Sequence, residues 1–269
     1  MSLSLDHLVI LVHELEQAIA HYTELGFTVQ RGGVHADGAT HNALVGFADG
    51  SYLELIAFLK PAPRHRWHGA AQSGRQGFID FALLPQSVGA TIAAAFDRGL
   101  NYQGPIDGGR LRPDGERLAW QIGIPPSAEL PFLCGDLTAR ALRVPEGEVR
   151  RHANGVLGIA SITLAVPDLE ASLARYSALL GPQALQQAAP VALPALGLRY
   201  GALSLGSTTL VLLSPAWPDG QGIPLTLREH LAVKGPGLFG VALRGTGNGP
   251  ASRLPLSQTH GAHFEIHPH

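Results

Sequence analysis

Cysteine is almost missing from this 269-residue chain: Cys134 stands alone, so no disulfide can form within it and no thiolate cluster can gather around a metal. Lysine is nearly as scarce, with only Lys60 and Lys234, and arginine carries the rest of the positive charge. No run approaches the ~18 consecutive apolar residues that a spanning helix needs, and no basic stretch ahead of an apolar one opens the chain. The formal charge of −2 has no blocks of one sign, which leaves no electrostatic footprint for nucleic acid or an anionic membrane. The fingerprints of a nucleophile elbow, a P-loop and a dinucleotide-binding turn are also missing. The expectation is a cytoplasmic protein whose partner is a small molecule, with neither nucleic acid nor membrane. Hydrophobic residues make up 45% of the chain, enough to build one large or two ordinary domains.

The chain repeats itself. Leu8 to Leu25, LVILVHELEQAIAHYTEL, aligns without gaps with Ile162 to Leu179, ITLAVPDLEASLARYSAL. Each copy opens with a short apolar run and then changes to helical spacing after a polar break, the pattern of a strand followed by a helix. Pro167 and Asp168 suit a helix start, and Gly26 and Gly181 suit helix stops. After the first helix, Phe27 to Val34, His41 to Phe47 and Ser51 to Phe58 read as strands, with Asp49-Gly50 as a tight-hairpin signal. The order is βαβββ, and Leu198 to Leu205 with Thr208 to Leu213 repeat its closing hairpin.

A weaker copy runs through Phe78 to Leu84, Ser87 to Arg98, Glu116 to Ile124 and Leu130 to Leu133. Gly237 to Arg244 and Ala262 to His267 give two more strands with no helix between them. The fold class expected is α+β: tandem βαβββ modules forming cupped mixed sheets with helices on their outside. The division expected is a first half over residues 1–144, with modules at about 1–60 and 77–135. A linker over 145–154 follows, and then a second half over 155–269, with a module at about 155–214 and a truncated one at about 235–269.

Four stretches carry a family resemblance: LDHLVILVHELEQAIAHYTELGF, SYLELIAF, LRPDGERLAWQI and HANGVLGIASITLAVPDLE. With them the chain resembles the glyoxalase-like branch of the vicinal oxygen chelate superfamily, which includes glyoxalase I, extradiol dioxygenases and antibiotic-resistance proteins. The resemblance implies a divalent metal held by a His of a first strand, a Glu of a closing strand and further ligands from a partner module. His7 and Glu54 occupy those two positions here. It also implies a small oxygenated ligand in a β-cup, with lyase, isomerase or ring-cleaving dioxygenase chemistry open. The alternative is a metal-free protein that binds or sequesters its ligand. A monomer or a homodimer would serve either.

Period-2 alternation places His7 on one face with Leu5, Val9 and Leu11, and Glu54 with Tyr52, Ile56 and Phe58. A buried carboxylate demands a cation, a hydrogen-bond network or an open pocket. His41, sharing a face with Ala43, Val45 and Phe47, is the candidate third ligand, and Glu54 is the candidate proton shuttle. Imidazole and carboxylate together suit Zn, Ni, Mn or Fe. A direct hydrogen bond between His7 and Glu54 explains the pair equally well. The repeat sets Ser161, Leu210 and Gly197 against His7, Glu54 and His41, so the scaffold does not itself require those groups. Asp80 reads as a helix-start or turn carboxylate, and Cys134 as a small buried hydrophobe. The loop PAPRHRWHG, Pro61 to Gly69, gathers Arg64, His65, Arg66, Trp67 and His68, of which Arg64 and Trp67 are the candidates for the pocket wall together with Arg112 and Trp120.

Overall fold

The computed structural model describes residues 3–111, 115–186, 189–217, 221–247 and 249–268. Its first half runs β1 (Ser4–Leu11), α1 (Leu15–Glu24), β2 (Gln30–Val34), β3 (Thr40–Gly46), β4 (Tyr52–Phe58), α2 (His68–Gln72), β5 (Gly77–Leu84), α3 (Val88–Phe96), β6 (Gln103–Leu111), β7 (Arg117–Ile124) and β8 (Phe132–Asp136). The short α4 (Arg140–Arg143) leads into the second half, with β9 (Val156–Ala165), α5 (Leu169–Leu180), α6 (Gln183–Gln186), β10 (Val191–Leu193), β11 (Leu198–Leu205) and β12 (Thr208–Pro215). It ends with α7 (Ile223–Lys234), β13 (Gly237–Gly245), β14 (Ser252–Arg253) and β15 (Phe264–Pro268). Among the described residues no helix is long and apolar enough to cross a membrane.

The strands form two mixed sheets, ordered β2-β3-β4-β1-β5-β8-β7-β6 and β10-β11-β12-β9-β13-β15-β14. This is the α+β arrangement of cupped sheets expected from the βαβββ repeat. In each sheet the first and closing strands of the leading module lie parallel, β1 with β4 and β9 with β12. Two of the helices, α3 and α5, start where a side chain satisfies a first-turn amide: Ser87 Oγ accepts from the Ala90 N–H at 3.2 Å, and Asp168 Oδ1 from that of Ala171 at 2.9 Å.

One continuous apolar core serves both halves. It joins Leu8, Ile10, Leu53 and Leu55 of the first sheet to Ile162, Leu164, Leu210 and Leu212 of the second, with Tyr22, Val88, Leu173 and Tyr176 from the helices between. Tyr22 and Tyr176, equivalent positions of the repeat, are both fully buried. Each hydroxyl reaches the other half, Tyr176 donating to the Glu129 carbonyl at 2.6 Å and Tyr22 to that of Thr259 at 3.4 Å.

The opposite faces of the sheets are the cups, and the segment following the closing strand decides what fills each. In the second half that segment is the twelve-residue α7, whose Leu227 and Leu231 pack with Ala165, Leu198, Leu213 and Phe239. In the first half it is the five-residue α2, and only Ala70 and Ala71 lean on the sheet. The second cup is plugged, while the first keeps a cavity of about 290 Å³.

Candidate active site

The floor of the open cup is made by neighbouring strands. Parallel pairing sets Val9 opposite Glu54 and His7 opposite Tyr52, so the His7 and Glu54 side chains rise side by side, Nε2 to Oε2 at 3.4 Å. The face expected for β1 differs at one residue. The β1–β5 register slips between Leu5 and His7, a bulge at Asp6 that puts Leu5 with the shared core and leaves Val9 and Leu11 on the cup side. It also brings the Asp6 carboxylate within 2.7 Å of His7 Nδ1. Strict alternation would have sent these adjacent side chains to opposite faces.

Asp6 is fully buried between charges of the other sign. Arg143 from α4 reaches it at 3.0 Å and Arg140 at 2.5 Å, while Arg143 also donates to the Tyr52 hydroxyl at 2.6 Å. The Tyr52 ring stacks on the His7 imidazole with centroids 4.5 Å apart. Burial opposes ionisation of Asp6, but Arg143, His7 and Arg140 outweigh it and hold the carboxyl far below the usual range. Burial likewise opposes a charge on His7, yet its hydrogen bonds with Asp6 and Glu54 raise its pKa above the ordinary value. Glu54 shows the same balance with the opposite direction of shift: despite burial, the hydrogen bond to His7 and the charge of that ring bring it down to about 2. These surroundings favour the charged form of each group, Asp6 and Glu54 as carboxylates and His7 as an imidazolium between them.

Two further groups complete the floor. Asn42 Nδ2 donates to Glu54 Oε1 at 2.6 Å, and His35 Nε2 approaches the same oxygen at 3.5 Å. His41 does not join them. Antiparallel pairing sets Leu44 opposite Glu54 and His41 opposite Ala57, so the cup-facing residues of β3 are Thr40, Asn42 and Leu44. His41 lies on the core-side face of β3 with Ala43 and Val45, within electrostatic reach of Glu14 and Glu16.

The walls are largely aromatic, from Tyr52, Trp67, Trp120 and Phe132. Of the loop cations, Arg66 rather than Arg64 lines the cavity: its guanidinium carbon stands 5.1 Å from the Phe132 ring centre and 5.5 Å from that of Trp67. Arg112 lies outside the described residues. Asp80 is no turn residue. It sits mid-strand in β5, 8% exposed, with Trp67 Nε1 donating to Oδ2 at 2.9 Å and Arg66 Nη2 2.5 Å from the same oxygen. β1 and β5 are both eight residues long, and matched end to end they make Asp80 the module-two counterpart of His7. The far rim closes where the edge strands β2 and β6 meet, Arg110 donating to Asn42 Oδ1 at 3.2 Å. Gly32 permits this bridge, since a Cβ there would run into Asn42 Oδ1 and lie 2.6 Å from Arg110 Nη1.

The second sheet offers no equivalent floor. Its register sets Thr163 opposite Val211, as Val9 is set opposite Glu54, so Val211 rather than Leu210 occupies the Glu54 position.

Two imidazoles and a carboxylate are donor types for a divalent cation, and a carboxylate behind His7 Nδ1 is a common support for a metal-binding ring. The arrangement nevertheless does not fit an ion. Among the described residues no group of three or more His, Cys, Asp or Glu side chains is placed to hold one. Asn42 occupies Glu54 Oε1, His41 is turned away, and Asp80 is taken by Arg66 and Trp67.

Residues 5–180 match the model of the glyoxalase-like domain family. No curated protein matches the chain. A hypothetical protein from Staphylococcus aureus has a similar structure, with TM-score 0.72 and 14% identity over 99% of each chain. A mutant of 4-hydroxymandelate synthase from Streptomyces coelicolor gives TM-score 0.59 and 14% identity, over 92% of this chain and 72% of that one. A fusion of a xylose isomerase-like TIM barrel with 4-hydroxyphenylpyruvate dioxygenase gives 0.54 and 18%, over 91% of this chain and 37% of the fusion. At these identities the structures share the fold. With the family match covering more than half its length, the chain belongs to the glyoxalase-like domain family of the vicinal oxygen chelate superfamily.

Proposed function

We propose that the open cup binds a small oxygenated molecule and that His7 and Glu54 exchange protons with it. The observation that carries this is the Asp6–His7–Glu54 chain at the cavity floor, two adjacent groups whose surroundings push their pKa values apart. His7 carries a proton on Nε2 that only the long contact to Glu54 engages, so a ligand carbonyl oxygen can take it. Glu54 stands ready to accept a proton from the adjacent carbon. As that C–H bond breaks, its electron pair forms the C=C bond of an enol and the carbonyl oxygen gains the His7 proton; reversal on the same or a neighbouring carbon gives an isomerase, and loss of a leaving group gives a lyase.

The test is proton–deuterium exchange in D2O, followed by NMR on the full chain with a panel of 2-oxo acids, 1,2-dicarbonyls and catechols. Exchange at carbon for one class is expected, slowed by about 10²–10⁴ in Glu54→Gln. The aromatic wall supports a second reading, a sequestering protein: ligands that raise the melting temperature without any exchange would establish it. One equivalent of divalent cation retained by wild type and lost in Glu54→Gln and His7→Ala would replace the metal-independent proton exchange with a metal centre.

A further inference from the structure

We propose that the cup's ligand is a carboxylate on a flat, conjugated body, and that Arg66 fixes its carboxylate end; this rests on the cup being a binding site. The Arg66 side chain is 27% exposed and lines the cavity from the loop between β4 and α2. Among the described residues its one anionic partner is Asp80, through Nη2, so Nε and Nη1 remain without a protein acceptor. The planar fork of arginine binds a carboxylate through two parallel N–H bonds, which lysine cannot imitate. The group lies over Phe132 and beside Trp67, with Trp120 also in the wall, a setting that accepts a flat apolar body next to the anion. A carboxylate held there leaves the rest of such a molecule to extend to His7 and Glu54, which line the same cavity.

Asp80 makes the assignment testable, because it competes with the ligand for the same cation. It is buried, and burial pushes its carboxyl up although Arg66 and Trp67 oppose this. Asn at position 80 keeps an oxygen for the Trp67 indole N–H but gives up the charge. The two members of one ion pair should therefore change affinity in opposite directions, which a purely structural role would not produce.

The measurement is calorimetric titration of the full chain with trans-cinnamate, and with cinnamamide as its uncharged isostere. Wild type should bind the acid at least about tenfold tighter than the amide. Arg66→Gln should erase that preference, and Asp80→Asn should tighten the acid severalfold while leaving the amide unchanged. Equal binding of acid and amide, absence of binding by both to protein whose circular dichroism is unaltered, or loss of affinity in Asp80→Asn would each overturn the proposal. The deuterium-exchange assay with neutral dicarbonyls and catechols reports on His7 and Glu54 without any carboxylate, so failure here and failure of the proton-exchange reading are separable.

Discussion

Asp6→Asn is the substitution through which the site's electrostatics can be weighed. The side chain is fully buried, and its carboxylate compensates His7, Arg140 and Arg143, the last itself only 6% exposed. Asn preserves the shape and one acceptor but removes the one anion shared by all three cations, leaving the guanidiniums with Asp136, 2.5 Å from Arg143 Nε and 3.2 Å from Arg140 Nη1, and the imidazolium with Glu54. Breaking a buried pair on one side costs about 3–5 kcal/mol. With roughly 2.1 cal/mol/K of unfolding entropy per residue, a cooperative unit of this length loses about 5–9 °C of melting temperature. The pH dependence follows from the signs. The depressed Asp6 pKa contributes stability that is complete above its unfolded value and fades from about pH 4 down towards the folded value, so the gap between wild type and variant should begin to narrow at the acid end of the range. The raised His7 pKa contributes stability that is complete below about pH 6.5 and is lost as pH rises through the folded value, so the gap should narrow again at alkaline pH. Scanning calorimetry of both proteins from pH 3.5 to 9 measures this. A melting temperature within about 1 °C of wild type at pH 6 would refute the account of Asp6 as a charge-compensated hub.

Gly32→Ala should cost about 1–3 kcal/mol in chemical denaturation, because the methyl group displaces Asn42 and Arg110 where the cup closes; it should also change the emission of Trp120 in the cavity wall. His41→Ala should stay within about 0.5 kcal/mol of wild type and leave ligand affinity unchanged, since His41 is on the core-side face of β3. A loss of affinity measured by calorimetry would place it in the site after all.

The fold was legible because the repeat is explicit: Tyr22 and Tyr176, aligned in sequence, do the same work in space. His7 and Glu54 were legible through the family resemblance, which marks the first and closing strands of the module, and not through the repeat, which sets Ser161 and Leu210 in their places. What sequence could not supply was register. His41 and Asn42 are neighbours, and only the pairing with β4 decides which of them meets Glu54. Asp6 was hidden by a bulge, which breaks the alternation used to read the strand. His35 lies beyond the end of β2, where no periodicity applies. α7 was missed, although Leu227 and Leu231 stand one helical turn apart, because Pro224 and the glycines at either end break the pattern of the segment. Arg64 and Arg66 differ only in which way a loop turns.

The origin of Arg140 and Arg143 has a consequence for how such a protein could evolve. Both cations that neutralise Asp6 come from the connector between the two sheets, not from either repeat. A first half cut before residue 140 would keep every strand of its cup and lose the charges that make its floor tolerable. A cut at the end of β8 is therefore penalised, whereas a cut in the linker over 145–154 keeps both arginines with the floor they serve.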